Sequence, residues 1–252
     1  MSSIPPDLIR LLQFYLSGPL PCPYLPDQIE RKLFTRLTGN PSSDREINAT
    51  LTRAGFRRSH DIVYRPACLH CSACLPVRIP VENFNPSRSL RRVALRNRDL
   101  HLEISDTSVT DEKYNLFCLY QAYRHPDSDM ARMTQHDFAA MLKEGEAGTR
   151  LYQLRAKSYG GTPGELLGSM VTDRVHDGFS AVYSFFRPDL RHRSLGIQLI
   201  LTLINEAFRL GLPYVYLGYW IASAQKMAYK ARFKPLQILS PQGWIFFPEE
   251  LA

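Results

Sequence analysis

The sequence predicts an α/β (α+β) protein of two halves, each with a mixed, mostly antiparallel sheet, packed as one body. Three observations lead there. The chain has 252 residues, 44% of them apolar, enough for one large domain or two small ones sharing a core. Charge divides it: residues 1–105 hold 15 Lys/Arg against 9 Asp/Glu, and residues 106–252 hold 16 against 15. Beyond residue 106 the apolar spacing also switches repeatedly between the helical period and the strand period. The expected units are a basic half, 1–105, and a second half, 106–252.

In the first half, Leu12–Pro26 is apolar and Pro-rich, which suits a strand followed by an irregular loop. Ser43-Asp44-Arg45-Glu46 has the capping-box pattern and predicts a helix over 44–54, ended by Gly55. Phe56–Tyr64 reads as one strand, and Val77–Phe84 alternates as a half-buried strand does. Ser87–Arg98 is a basic helix, and Leu100, Leu102 and Ile104 mark another strand.

In the second half, Asp111–Arg124 has helical spacing, with Leu116, Leu119, Tyr120 and Tyr123 expected inward. Gln135–Lys143 is a second helix. Arg150–Ala156, Glu165–Arg174 and Ser180–Arg187 are three successive strands, turned by Gly160–Gly164 and by His176-Asp177-Gly178. Ser194–Leu210 is an amphipathic helix closed by Gly211 and Pro213. Tyr214–Tyr219 is a buried strand, Ala222–Ala231 a helix, and Pro235–Leu239 a last strand.

Composition excludes several classes. No run of about 18 apolar residues is present, so no membrane-spanning helix is expected. The leading segment lacks a basic start and is broken by Arg10 and Gln13, so no secretory signal is expected and the compartment is read as cytoplasmic. Five cysteines, an odd number, argue against a disulfide framework. The formal charge is +7, and Arg supplies 24 of the 31 basic residues. Arg forks onto phosphate and stacks on bases, which makes nucleic acid the first candidate partner of the basic half.

Two segments carry the clearest chemistry. Arg191-His192-Arg193-Ser194-Leu195-Gly196-Ile197-Gln198 opens the long helix, where free N–H groups and the helix dipole favour an anion. Arg191, Arg193, Ser194 and Gly196 are therefore candidate phosphate ligands. The element order there is that of a GNAT-type acyltransferase, which holds a phosphate-bearing acyl donor at this helix start. Gln198 stands where such loops carry a small residue, which argues against acetyl-CoA. In the second segment, Tyr214–Ile221 followed by Lys226 and Lys230, Tyr219 is a candidate for stacking on a base. The two lysines lie one helical turn apart and are candidates for one phosphate. Arg91, Arg92 and Arg96 on the basic helix are further candidates for nucleic-acid phosphate. Cys68, Cys71 and Cys74, joined by Cys22, have spacers that suit zinc or an iron–sulfur cluster. The alternative is that they are packing residues.

Leu217-Gly218-Tyr219-Trp220-Ile221 with Lys226-Met227-Ala228-Tyr229-Lys230 resembles the C-terminal half of the arginyl-tRNA–protein transferase family. Ser194-Leu195-Gly196, and Asp173 with Gly178-Phe179-Ser180, resemble it too. Phe56-Arg57-Arg58-Ser59 and Tyr64-Arg65-Pro66 resemble its N-terminal half. The resemblance covers roughly Leu12 to Trp244. It departs at Cys22-Pro23-Tyr24-Leu25, where the arginyl enzymes carry Cys-Gly-Tyr-Cys, a cysteine set associated with an iron–sulfur cluster. The short length and the Cys68–Cys74 run resemble the bacterial, leucyl-transferring branch.

That resemblance implies two GNAT-like halves and transfer of Leu from Leu-tRNA to the N-terminal amine of proteins beginning with Asp or Glu, marking them for degradation. No cofactor is required for it; aminoacyl-tRNA is the co-substrate. Arg-tRNA as donor is the alternative. A GNAT acetyltransferase or a non-catalytic RNA-binding protein are competing readings. For this chemistry Asp173 is the candidate proton acceptor and Tyr183 the candidate donor to the leaving ribose oxygen. Arg57 and Arg58, neighbours on one strand, are the candidates for the acceptor's carboxylate. Strand neighbours face opposite ways, so only one is expected to reach that pocket.

Overall fold

The computed structural model describes residues 12–143, 148–157 and 164–248. The start of the chain and most of the Gly160–Gly164 turn lie outside the described residues. Strands β1 (Tyr15–Leu16), β2 (Leu20–Pro21), β3 (Ile29–Glu30) and β4 (Lys32–Arg36) lead into helix α1 (Pro41–Arg53). A hairpin follows, β5 (Arg57–Ser59) and β6 (Ile62–Pro66), then β7 (Leu75–Pro80), α2 (Arg88–Arg96) and β8 (Leu100–Ser105). Next come α3 (Asp111–Arg124), α4 (Gln135–Lys143), β9 (Thr149–Ala156), β10 (Leu166–Val175) and β11 (Gly178–Phe186). The chain ends with α5 (Leu195–Arg209), β12 (Tyr214–Trp220), α6 (Gln225–Ala228), β13 (Gln237–Ser240) and β14 (Gly243–Phe246).

Several boundaries differ from expectation for identifiable reasons. Helix α1 begins at Pro41 because Asn40 caps it, its side chain accepting from the N–H groups of Ser42 and Ser43. Such a cap is worth about 1 kcal/mol. The anticipated box at Ser43 is not used: Asp44 turns back to Thr38 and Gly39, and Glu46 pairs with His176 at 2.9 Å. Phe56–Tyr64 is broken into a hairpin, with His60 in the left-handed region at φ 54°. On α3, Leu119 and Tyr123 are exposed; Phe117 and Gln121 join Leu116 and Tyr120 inside. The expected helix over 222–231 is α6 followed by one 3-10 turn, Tyr229–Arg232. Strand β14 had no expectation.

Two sheets dominate. A four-stranded antiparallel sheet has the order β1-β4-β6-β5, and an eight-stranded sheet the order β14-β13-β7-β12-β11-β10-β9-β8. In the large sheet every pair is antiparallel except β11 with β12, which the α5 crossover makes parallel. Strands β7 and β8 enter this sheet from before residue 106. Helix α5 and helix α2 pack in one cluster with Leu167 and Met170 of β10. Helices α3 and α4 pack in another with Leu166 and Val171 of the same strand. Side chains of one strand thus fill cores on both faces of the sheet.

A buried ion pair ties the small sheet to the large one. Arg58 of β5 grips Asp173 of β10 through two contacts, Nε–Oδ2 at 2.6 Å and Nη2–Oδ1 at 2.8 Å. Thr149 of β9 and Asn48 of α1 also donate to this carboxylate, at 2.7 and 2.9 Å. Arg58 is 3% exposed and Asp173 1%. This corrects two expectations. Asp173 has its oxygens engaged and sealed from substrate, so it takes no proton from an amine. Arg58 already holds a carboxylate, so it does not bind the acceptor's.

Breaking such a pair leaves a charge buried without its partner, at a cost of about 3–5 kcal/mol. Arg58→Met and Asp173→Asn are each expected to lose that much in urea unfolding. Losses below about 1 kcal/mol would mean that the two sheets are joined elsewhere.

Candidate active site at the strand splay

The parallel pair β11–β12 is hydrogen-bonded only over Gly178–Ser180 against Tyr214–Tyr216. Beyond it each strand is distorted. The β10–β11 register shifts between Val171 and Thr172, and the β12–β7 register shifts between Tyr216 and Gly218. Gly218 has φ 72°. The strands part, and two cations occupy the opening. Arg57 Nη2 donates to the Val182 carbonyl of β11. Lys230 Nζ donates to the Tyr219 carbonyl of β12 and lies 3.4 Å from Met227 Sδ. A Cβ on Gly218 would come within 3.1 Å of Arg57 Cδ and Nη1. Glycine there accepts the positive φ and leaves room for the guanidinium.

Tyrosines surround Arg57. Its charge acts on Tyr24, Tyr183, Tyr219, Tyr229 and Lys230. Burial, then Tyr64, pushes the Tyr24 phenol up to about 12. Burial raises Tyr183 above the ordinary range as well, so its hydroxyl keeps its proton while accepting from Gln121 Nε2 at 2.7 Å. Burial, then Arg57, holds the Lys230 ammonium well below its usual value. No carboxylate is among the groups acting on Tyr183, Tyr229 or Lys230. At the rim, Lys226 is exposed, and the His125 imidazole is lowered by burial and then by Lys226 and Arg124. Arg191 stands 4.9 Å from the centre of the Tyr123 ring.

The remaining expected residues scatter. Arg193 is paired in a fork with Asp99 at 2.9 and 3.0 Å, so it holds no free charge for a phosphate. Ser194 is left-handed at φ 53° and makes no side-chain cap. Gly196 is small for packing: a Cβ there would meet the Phe186 ring at 2.9 Å. Tyr219 stacks on no base, being 3% exposed with its hydroxyl on the carbonyls of Gly55 and Tyr64, both at 3.0 Å. Lys230 shares no phosphate with Lys226, because it is buried. On α2, Arg91 and Arg92 are exposed, and Arg96 donates to the His192 carbonyl.

The five cysteines are free thiols. Burial, then Cys22, Cys68 and Cys71 in that order, pushes the Cys74 thiol up to about 12, so the four lie within electrostatic reach of one another. Among the described residues, however, no three or more Cys, His, Asp or Glu side chains converge as metal ligands do. The donor chemistry suits a thiophilic metal; the side-chain arrangement is not that of a formed centre.

Sequence reasoning missed Gln121, Tyr24 and Tyr64. Gln121 had a usable signal: it is a polar residue on the inward stripe of α3, beside Phe117 and Tyr120. The tyrosines had none, because only the tertiary fold brings them to Arg57.

A three-strand meander, a crossover helix and a parallel strand that splays from its neighbour define an acyltransferase of the GNAT type. The C-terminal model of the arginine-tRNA-protein transferase family matches residues 112–240, and its N-terminal model residues 20–92. The chain belongs to this family and is a transferase. A relative from Nitrobacter hamburgensis named aspartate/glutamate leucyltransferase is 48% identical, over 92% of this chain and 91% of its own. One of the same name from Afipia carboxidovorans is 50% identical, over 92% of each chain. Among solved structures, L-PGS from Bacillus licheniformis aligns with TM-score 0.49 at 12% identity, over 65% of this chain and 57% of its own. No helix among the described residues is long and apolar enough to cross a membrane.

Lys230 gives this site a stability signature. Its pKa is lower in the folded chain than the roughly 10.4 of an unfolded lysine. As pH falls below that value the unfolded chain gains a proton and the folded chain does not, so stability declines until folded Lys230 itself protonates. Lys230→Met is therefore expected to be more stable than the parent at pH 7, with the difference shrinking towards pH ~10. An equal difference at both pH values, in urea unfolding, would show that Lys230 is charged in the fold.

Proposed function

We propose that this protein moves Leu from Leu-tRNA to the N-terminal amine of proteins beginning with Asp or Glu, in the cytoplasm, marking them for degradation. The observation that carries the reading is Arg57, a half-buried guanidinium in the splay with no carboxylate partner among the described residues. Its seat on Gly218 and Val182 orients a fork that suits an acceptor's side-chain carboxylate. The names of the relatives supply leucine and the acidic acceptors. Residues 1–105 and 106–252 divide the labour: the first contributes Arg57, the basic helix and two strands of the large sheet, the second the strands β11 and β12 between which transfer occurs.

The chemistry is aminolysis of an ester. The acceptor's nitrogen forms the new C–N bond, the C–O bond to the ribose breaks, and one proton passes from nitrogen to the leaving oxygen. A terminal amine has a pKa of about 8, so much of the work is to bind it neutral. Burial and Arg57 disfavour an ammonium here, as they do at Lys230. Tyr183, holding its proton, donates to the leaving oxygen. Positioning supplies most of the rate. Arg191, Lys226, Arg91 and Arg92 are exposed and form the tRNA surface. Cys22, Cys68, Cys71 and Cys74 would hold a structural metal, zinc or an iron–sulfur cluster, measurable by elemental analysis of anaerobic protein; no step runs through it.

The direct test offers radiolabelled Leu-tRNA and Arg-tRNA to peptides beginning with Asp, Glu and Ala. Leu transfer to Asp and Glu peptides alone is expected; Arg transfer, or indifference to the first residue, would overturn the reading. In the same assay, Arg57→Ala should raise the KM for an Asp peptide by more than tenfold, a loss of at least ~1.4 kcal/mol. Arg91→Glu with Arg92→Glu should instead raise the KM for Leu-tRNA, most at low salt, where phosphate contacts are least screened.

A further inference from the structure

The splay holds a polar group that the reaction as described does not use. Gln121, on the third turn of α3, is 1% exposed. Its Nε2 donates to the Tyr183 hydroxyl, and its Oε1 is buried with no hydrogen-bond partner among the described residues. The opposite amide orientation would take up the hydroxyl hydrogen that Tyr183 needs for the leaving oxygen and leave two N–H donors unpaired, against one N–H and one oxygen here. Buried amide oxygens are rarely left without a partner, and doing so is costly. Such a group calls for a ligand that donates. Tyr183, which it touches, has its hydroxyl acted on by both Gln121 and Arg57.

The donor brings a group that fits. Its aminoacyl end carries a side chain, the ester carbonyl and one primary amine, and that amine alone can donate. Among the described residues no carboxylate is among the groups acting on Tyr183, Tyr229 or Lys230, so beside Tyr183 the amine meets no carboxylate receptor. An amide oxygen accepts from an amine whether or not the amine is protonated, and it does not capture an ammonium as a carboxylate would. We propose that Gln121 Oε1 is the receptor for the α-amine of the aminoacyl group on the donor tRNA. This rests on the leucyl-transfer reading above.

Gln121 thus separates the two amines of the reaction. The acceptor's amine enters on the Arg57 side, led by its carboxylate. The donor's amine is tied to α3 on the far side of Tyr183. The ester carbonyl is then held between them, with its leaving oxygen towards the Tyr183 hydroxyl. A donor lacking the amine would lose this anchor and leave the amide oxygen unpaired.

The test compares two donors, Leu-tRNA and the same tRNA carrying a 4-methylpentanoyl group, which is leucyl without its amine. The acceptor is an Asp-initiated peptide. The parent protein is expected to favour Leu-tRNA in kcat/KM by more than about tenfold, the worth of one buried hydrogen bond to a neutral or charged donor. Gln121→Met is expected to use both donors at similar kcat/KM, by losing rate on Leu-tRNA. Tyr183→Phe, which keeps Gln121, is expected to be slower on both and to keep the preference. A parent protein that uses both donors equally, or a Gln121→Met variant that keeps the full preference, overturns the assignment. Should Gln121→Met fail to fold, the parent's own ratio still decides. A parent protein that transfers neither acyl group sinks the leucyl-transfer reading, and this inference with it.

Discussion

The parting of β11 from β12, wedged by Arg57, is the constraint on which the rest of the site depends. A parallel pair that continued past Ser180 would satisfy its own carbonyls and leave no opening. Here the Val182 carbonyl accepts a hydrogen bond from the Arg57 guanidinium and the Tyr219 carbonyl accepts one from Lys230 Nζ. The cost of interrupting the ladder is thereby offset by two side-chain donors. Both donors need to be delivered by other parts of the chain. Arg57 comes from the small N-terminal sheet, and that sheet is anchored by its neighbour Arg58 in the Asp173 pair. Two consecutive arginines on one strand thus have opposite placements, one sealed in an ion pair between the sheets and one set in the splay.

This division explains what the sequence disclosed and what it withheld. The strand and helix order of the second half was legible because each element keeps one apolar period, from Asp111–Arg124 through Tyr214–Trp220. The alternation rule also separated Arg57 from Arg58. It gave no means of saying which faced inward, since that depends on a carboxylate more than a hundred residues away. Asp173 looked like an available acid for the same reason: its partner is invisible until the sheets meet. Lys226 and Lys230 share helical spacing in sequence, but the helix there lasts only four residues before tightening, and Lys230 turns into the splay. Helix α1 shows the local version of the problem. Asn40-Pro41 and Ser43 both carry capping signals, and proline at the first position decides for the former.

The electrostatics of the opening follow from the same geometry. A guanidinium and a lysine share one low-dielectric gap. Burial, and then Arg57, weigh against the charged form of the lysine. A guanidinium keeps its charge in proteins. One fixed positive charge is left, aimed into a polar but uncharged ring of tyrosines. That field attracts a carboxylate and opposes an ammonium. A peptide beginning with Asp or Glu presents both groups a few bonds apart, so the field that draws it in also favours the amine without its proton.

The helix start that holds the donor's phosphates in an acetyltransferase of this fold is used differently here. Arg193 is committed to Asp99, and the Phe186 ring lies against Gly196, where the backbone would otherwise approach a pyrophosphate. Phe186 also packs on Tyr120 of α3 at 4.9 Å, so the residue that crowds the helix start supports the helix carrying Gln121. The cations left free for a polyanion, Arg91, Arg92, Arg191 and Lys226, are all exposed. A donor whose charge is spread along a nucleic acid suits that arrangement better than a compact pyrophosphate does. On the proposed reading the phosphates would stay on the outer surface, where salt screens them and contacts are individually weak. Only the aminoacyl end would pass into the splay, where the contacts are few, buried and directional.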